Sequence, residues 1–158
     1  MKRRTIVLNK LLKTTDDYAL TLARLVLGIV FFAHGAQKAL GWFGGHGLTA
    51  SMQYFTVRMR IPAPLAFLAI MAELLGGLGL IFGVLTRVAA FGIFCVMVVA
   101  VLTVHMNNGL FMNWAGSQKG EGFEYHLLAI ALAVVLMLRG AGPLSVDHAL
   151  SHRAETES

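Results

Sequence analysis

The sequence predicts an all-α integral membrane protein, a four-helix bundle with a short amphipathic interfacial helix between the first two spans, on three observations. Of the 158 residues 57% are hydrophobic and 13% charged, against about 25% charged in soluble domains, and the mean hydropathy is +0.71. The apolar residues gather in four runs, at about 18–40, 64–83, 86–105 and 124–139, most of them close to the ~20 residues a helix needs to cross a bilayer. Lys and Arg flank these runs and form no single patch, so the net charge of +5 reads as membrane orientation, and nucleic acid is not an expected partner.

Residues 1–17 (MKRRTIVLNKLLKTTDD) are expected to form a basic, amphipathic arm on the cytoplasmic surface. Their apolar patch is broken by Asn9, Lys10 and Lys13, and no small-residue cleavage site follows, unlike a signal peptide. Asp16 or Asp17 is placed to cap the first span. That span, YALTLARLVLGIVFFAHGAQKAL, reaches ~33 Å as a helix. Arg24, Gly28, Phe31, Gly35 and Lys38 share one stripe on it, with His34 beside them. A face that combines charge with glycine is expected to look into protein, because charge is costly in lipid and glycine admits close helix approach.

Glycines at 41, 44, 45 and 47 end the helix. Leu48, Met52, Phe55 and Met59 then recur at helical spacing, which predicts a short amphipathic helix on the outer membrane surface, with Trp42, Phe43 and Tyr54 at headgroup level. Pro62 and Pro64 reset the chain for the second span, which carries Glu73 near its middle. Gly79 and Gly83 form a small-xxx-small pair and Gly76 lies near the face of Glu73, so close packing is expected there. The third span is almost purely aliphatic and holds Cys95, the one cysteine of the chain, as a packing residue. A single cysteine excludes an intramolecular disulfide and a dithiol redox pair. Glu124 to Arg139 makes a short fourth span stopped by Gly140, Gly142 and Pro143. The tail 144–158 is polar, with Ser145 and Asp147 suited to start a turn or helix, and disorder is expected beyond residue 150. The four-span domain 18–143 fills the chain between arm and tail.

Eight Lys/Arg on the side of the termini against four on the other predict cytoplasmic termini and a multi-pass protein of the bacterial inner membrane. With the first helix rising outward, Arg24 lies ~9 Å inside the cytoplasmic boundary, and His34, Lys38 and Glu73 lie ~9, ~3 and ~13 Å below the outer one. His105 ends the third span on that outer side, where Glu124 and His126 begin the fourth. A polar cluster of His34, Lys38, Glu73, His105, Glu124 and His126 is thus expected in the outer half of the bundle, with Arg24 below it or reaching out to the headgroups. Glu73, a carboxylate at mid-depth, must be paired, hydrogen-bonded or protonated, and Arg24 and His34 are its expected partners.

Four strings in order resemble the DoxX family of small four-span membrane proteins: RLVLGIVFFAHGAQKALGWFGG, GLTASMQYF with IPAP, AELLGGLGLIFGVLTRVAA, and GAGPLSVD. The matching positions include Arg24, Lys38, Glu73, Arg87, Ser145 and Asp147, and the likeness runs from about residue 18 to Asp147. The resemblance implies the four-span fold, and it implies a link to quinone-dependent oxidation of sulfur compounds or to membrane redox assemblies that handle thiols. Fold and activity are separable, so roles must come from the residues.

A quinone needs a slot open to lipid, donors to its carbonyl oxygens and a proton path. On this reading Glu73 and His34 are the candidate catalytic residues. His34 and His126 address carbonyl oxygens, Glu73 or Glu124 relays protons, Arg24 or Lys38 stabilises negative charge, and His105 lines the site. The expected chain is then a small subunit of a quinone-linked oxidoreductase process, with lipid, a redox partner protein or a further copy of itself as partners. Metal is the competing chemistry, but no HxxxH or ExxH pair occurs among the cluster residues, and Glu124 and His126 point about 200° apart on a helix, so no metal ligands are assigned. The alternative of another class is a non-enzymatic anchor or assembly scaffold for a soluble redox enzyme. A transporter fits less well, since four spans make a poor pathway without oligomerisation.

Overall fold

The computed structural model describes residues 12–156; the basic start of the expected arm lies outside them. The helices are α1 (Tyr18–Leu40), α2 (Gly47–Gln53), α3 (Ala63–Phe82), α4 (Thr86–Ala100), α5 (Glu124–Arg139) and α6 (Val146–Thr156). Of the two candidate caps for α1, Asp17 is used, its carboxylate accepting from the Ala19 amide at 2.9 Å. The helix closes at Gly41, whose φ of 73° suits glycine.

α2 runs on into a π turn, Tyr54–Arg58, and lies against α1 and α3. Its half-buried side is Met52, Phe55 and Met59, the stripe that predicts an interfacial helix, while Leu48 is exposed. α4 likewise continues through a π turn, Val101–His105, and a 3-10 turn, Met106–Asn108. Tyr18–Leu40, Ala63–Phe82 and Thr86–Asn108 are each long and apolar enough to cross a membrane. α5 has 16 residues, or ~24 Å, so three full spans are joined by one shorter helix at the position where a short fourth span is expected. The outward side of α5 still exposes Leu128, Val135 and Leu138, the surface of a helix in contact with lipid.

Lipid gives apolar helices no hydrophobic reason to associate, so contact must come from close packing and polar bonds. α1 packs chiefly on α3, and α4 on α5 and α3. Between α1 and α3 the backbones nearly touch. A Cβ on Gly28 would sit 2.9 Å from the Ile81 nitrogen, and one on Gly35 or Gly77 would collide with the backbone of Leu74 or Phe32. The close packing expected at Gly76 and Gly79 is made with α4, where both face Ala89. Gly83 leaves the helix altogether as its left-handed C-cap. Ala90, Ile93 and Met97 meet Ala129, Ala133 and Leu136 in the core between α4 and α5.

The terminal end of the bundle is tied by two buried charges. Arg24, 1% exposed, donates to the carbonyls of Leu80 and Ile81 at the end of α3, and to those of Ala141 and Leu144. It therefore satisfies helix-end carbonyls inside the protein and does not reach out to the headgroups. Asp147 accepts from the Leu85 and Thr86 amides, both at 2.8 Å. It caps α4 from a distance, next to the left-handed Leu85 at φ 48°. Ser145 performs the local capping of α6, its Oγ accepting from the His148 amide at 3.1 Å. Helix α6 runs to Thr156 where disorder is expected beyond residue 150. It sets His148 and His152 one turn apart, an HxxxH pair in a tail that reads as merely polar.

Candidate functional site

In the other half of the bundle Gly35 lets α1 lie against the backbone at Glu73 and Leu74 of α3, and Lys38, one turn further on, meets Glu73. The Lys38 Nζ to Glu73 Oε2 distance is 2.6 Å, with the carboxylate side chain 7% exposed and the lysine 28%. Glu73 is therefore paired with Lys38, where Arg24 or His34 is the expected partner. Arg24 is excluded by length: fourteen residues of helix separate it from Lys38, ~21 Å. His34 is exposed and within electrostatic reach of both members of the pair.

Helix α5 adds Tyr125 and His126. The His126 side chain is buried, and its ring lies 4.0 Å from that of His105, centroid to centroid. His105 stands at the end of the π turn of α4, with Nδ1 2.8 Å from the Glu121 carbonyl oxygen. A carbonyl only accepts, so Nδ1 carries the hydrogen and Nε2 of the neutral ring is left as an acceptor. Tyr125 stacks edge-on against His126 at 5.4 Å and lies within the field of Glu73. His126 lies within that of His105 and His34. The chain of groups from His34 through Lys38, Glu73, Tyr125 and His126 to His105 thus connects four elements.

Two atoms in this cluster stand out. The Tyr125 hydroxyl and His126 Nδ1 are buried without a hydrogen-bond partner among the described residues. A buried polar group left unpaired costs about 1–3 kcal/mol, so both atoms are open to a partner beyond the described residues.

Glu124 is turned elsewhere. It accepts from the Met112 amide at 2.8 Å and from the Trp114 indole at 3.3 Å, tying down the loop after α4. Its separation from His126 follows from their two-residue spacing on α5. Of the seven residues expected at the site, then, His34, Lys38, Glu73, His105 and His126 come together, and Arg24 and Glu124 do not. Tyr125 is the residue that sequence reasoning misses; a tyrosine near a helix end reads as a headgroup anchor, although its place between Glu124 and His126 marks a third direction on the helix. The three histidines do not bring ligand atoms together within 4.8 Å; among the described residues such a convergence occurs at the opposite face. A shallow recess lined by Asn108, Phe111 and Lys119 belongs to the loop and shares no residue with the cluster.

The DoxX family model matches residues 19–106. A Bacillus subtilis protein named "Putative oxidoreductase CatD" is 28% identical over 126 residues, 80% of this chain and 82% of its own. An uncharacterised Haemophilus influenzae protein is 28% identical over 142 residues, 89% of this chain and 88% of its own. The inner membrane protein YqjF of Escherichia coli is 25% identical over 142 residues, 90% of this chain and 99% of its own. No solved structure matches.

Proposed function

The chain belongs to the DoxX family, and from that premise we propose that its polar cluster holds the headgroup of a membrane quinone, the protein acting as a small subunit of a quinone-linked redox process. The carrying observation is the pair of buried, unpartnered atoms, Tyr125 Oη and His126 Nδ1. Both can donate to the carbonyl oxygens of such a headgroup, so the residues present fit the group. The relative named as an oxidoreductase supports the reaction class, and the relative named as an inner membrane protein supports a bacterial inner membrane. The positive-inside bias supports cytoplasmic termini.

A bound quinone supplies two-electron, two-proton chemistry. The protein supplies position and protons. Tyr125 and His126 orient the acceptor oxygens. Lys38 keeps positive charge beside Glu73, and together the two hold or release a proton within a lipid-screened site. His34, exposed and next to the pair, exchanges that proton with the surroundings. His105, fixed by the Glu121 carbonyl, steadies the ring of His126. Arg24 and Glu124 are left out, since carbonyls and loop amides already occupy them.

The test is mass spectrometry of solvent extracts from protein purified in mild detergent. Near-stoichiometric quinone is expected in the natural chain, and only traces in a Glu73→Gln, Tyr125→Phe variant that keeps its helix content. Trace quinone in both would overturn the reading in favour of a non-enzymatic scaffold, to be pursued by cross-linking its partner.

A further inference from the structure

A second site lies at the opposite end of the molecule, where the start of α1 and α6 come together. We propose that Asp16, His148 and His152 form a binding site for a divalent transition-metal ion of the zinc class, where the segment before α1 meets α6. One ligand atom from each of the three side chains lies within 4.8 Å of the others. Asp16 Oδ1 and His148 Nδ1 are 3.4 Å apart. Ligands about 2.0–2.1 Å from a tetrahedral ion are separated by ~3.3–3.4 Å, so this pair already has the spacing that an ion imposes. The His148 and His152 rings, 4.3 Å apart, sit at i and i+4 on α6, the spacing with which a helix presents two imidazoles to one metal.

The donor set selects the class of ion. Two imidazoles and one carboxylate suit zinc, cobalt or nickel, whereas calcium and magnesium favour all-oxygen shells. Three protein ligands leave a fourth position for water. Asp16 and His152 are exposed and His148 is half-buried, so an ion can enter from the aqueous side. An exposed Asp–His ion pair contributes little by itself, while the i, i+4 spacing on α6 brings the second imidazole to the same point.

Both walls of the site are anchored by bonds that do not involve an ion. On the Asp16 side, the Gly142 amide donates to Thr14 Oγ1 at 2.7 Å, Arg87 donates to the Lys13 carbonyl at 2.9 Å, and Asp17 caps α1. On the histidine side, Asp147 is held by two amides of α4 and Ser145 caps α6. Little ordering is therefore left for the ion to impose. Its effect is to clamp the entry segment of α1 onto α6.

The experiment titrates Co2+, then Zn2+, into the full chain in detergent, without a polyhistidine tag, following the visible cobalt absorption and the calorimetric heat. One saturating equivalent per chain is expected, with Zn2+ displacing Co2+. Altering an outer-shell group alone costs ~10–100-fold in affinity, so His152→Gln, which removes a ligand, is expected to cost at least that, and Asp16→Asn a smaller fold. A His105→Gln, His126→Gln variant is expected to bind like the natural chain. Should His148→Gln unfold, exposed His152 supplies the deciding variant, with circular dichroism as the control. No saturable binding, or equal affinity in natural and His152→Gln protein, overturns the proposal. Neither result bears on quinone content, so the two sites fail independently.

Discussion

At the scale of single residues the Lys38–Glu73 pair sets the strongest expectation. Taking one partner from a buried ion pair strands the other charge, at about 3–5 kcal/mol, whereas replacing both with apolar groups is often near neutral. The two ends differ in exposure, Glu73 7% and Lys38 28%. Lys38→Met, which strands the more buried carboxylate, is therefore expected to lower the unfolding midpoint in detergent more than Glu73→Gln, since a lone lysine can bend toward water. The double variant Lys38→Met, Glu73→Leu is expected to return close to the natural midpoint. A double variant as unstable as the worse single would show that the pair does not act as a unit. That Glu73 needs a partner is legible from its depth in an apolar run. Which partner is not, because the choice depends on how closely α1 approaches α3, and that distance is set by Gly35 and Gly77 together.

The glycine pattern belongs to the element scale, where face decides consequence. Gly35→Ala drives a methyl into the backbone of Leu74, while Gly76→Ala meets Ala89 and Ile93 at 3.5–3.7 Å, ordinary contact. Gly35→Ala is expected to cost about 1–3 kcal/mol as overpacking and Gly76→Ala to be neutral or slightly stabilising, with both read as thermal midpoints in one detergent. Equal losses would mean that helix propensity, and not approach distance, governs this interface. The spans were legible because length and hydropathy are local properties. The capping of α4 by Asp147 was not: the amides of Leu85 and Thr86 and their acceptor are separated by 62 and 61 residues. Arg24 is similar, its Ala141 and Leu144 acceptors lying 117 and 120 residues away. The tail hid its helix for another reason. Polar composition in HALSHRAETES suggests disorder, yet Ser145 caps the first turn and Asp147 anchors it to α4.

For the whole molecule, the bundle puts the start of α1 and α6 at one end, beside the Arg24 and Asp147 bonds, and the His105 and Glu124 loop at the other. Charge asymmetry predicts that the terminal end faces the cytoplasm. A fluorescent reporter active only in the cytoplasm is expected to glow when fused after Ser158, and a phosphatase active only outside it is expected to work when inserted at Gly116. The reverse pattern would invert the molecule, moving the metal site outward and the polar cluster inward.

The buried bonds of Arg24 and Asp147 also impose an order on synthesis. Arg24 enters the bilayer with the first span, yet two of its acceptors lie in the last part of the bundle to leave the ribosome. Until residues 141–147 emerge, a guanidinium sits in the membrane with its hydrogen bonds incomplete and the start of α4 has no acceptor. The insertion machinery must therefore hold a half-built bundle whose buried guanidinium is satisfied only by a much later loop, so that docking of that loop, and not membrane entry, is the step that commits this chain to its fold.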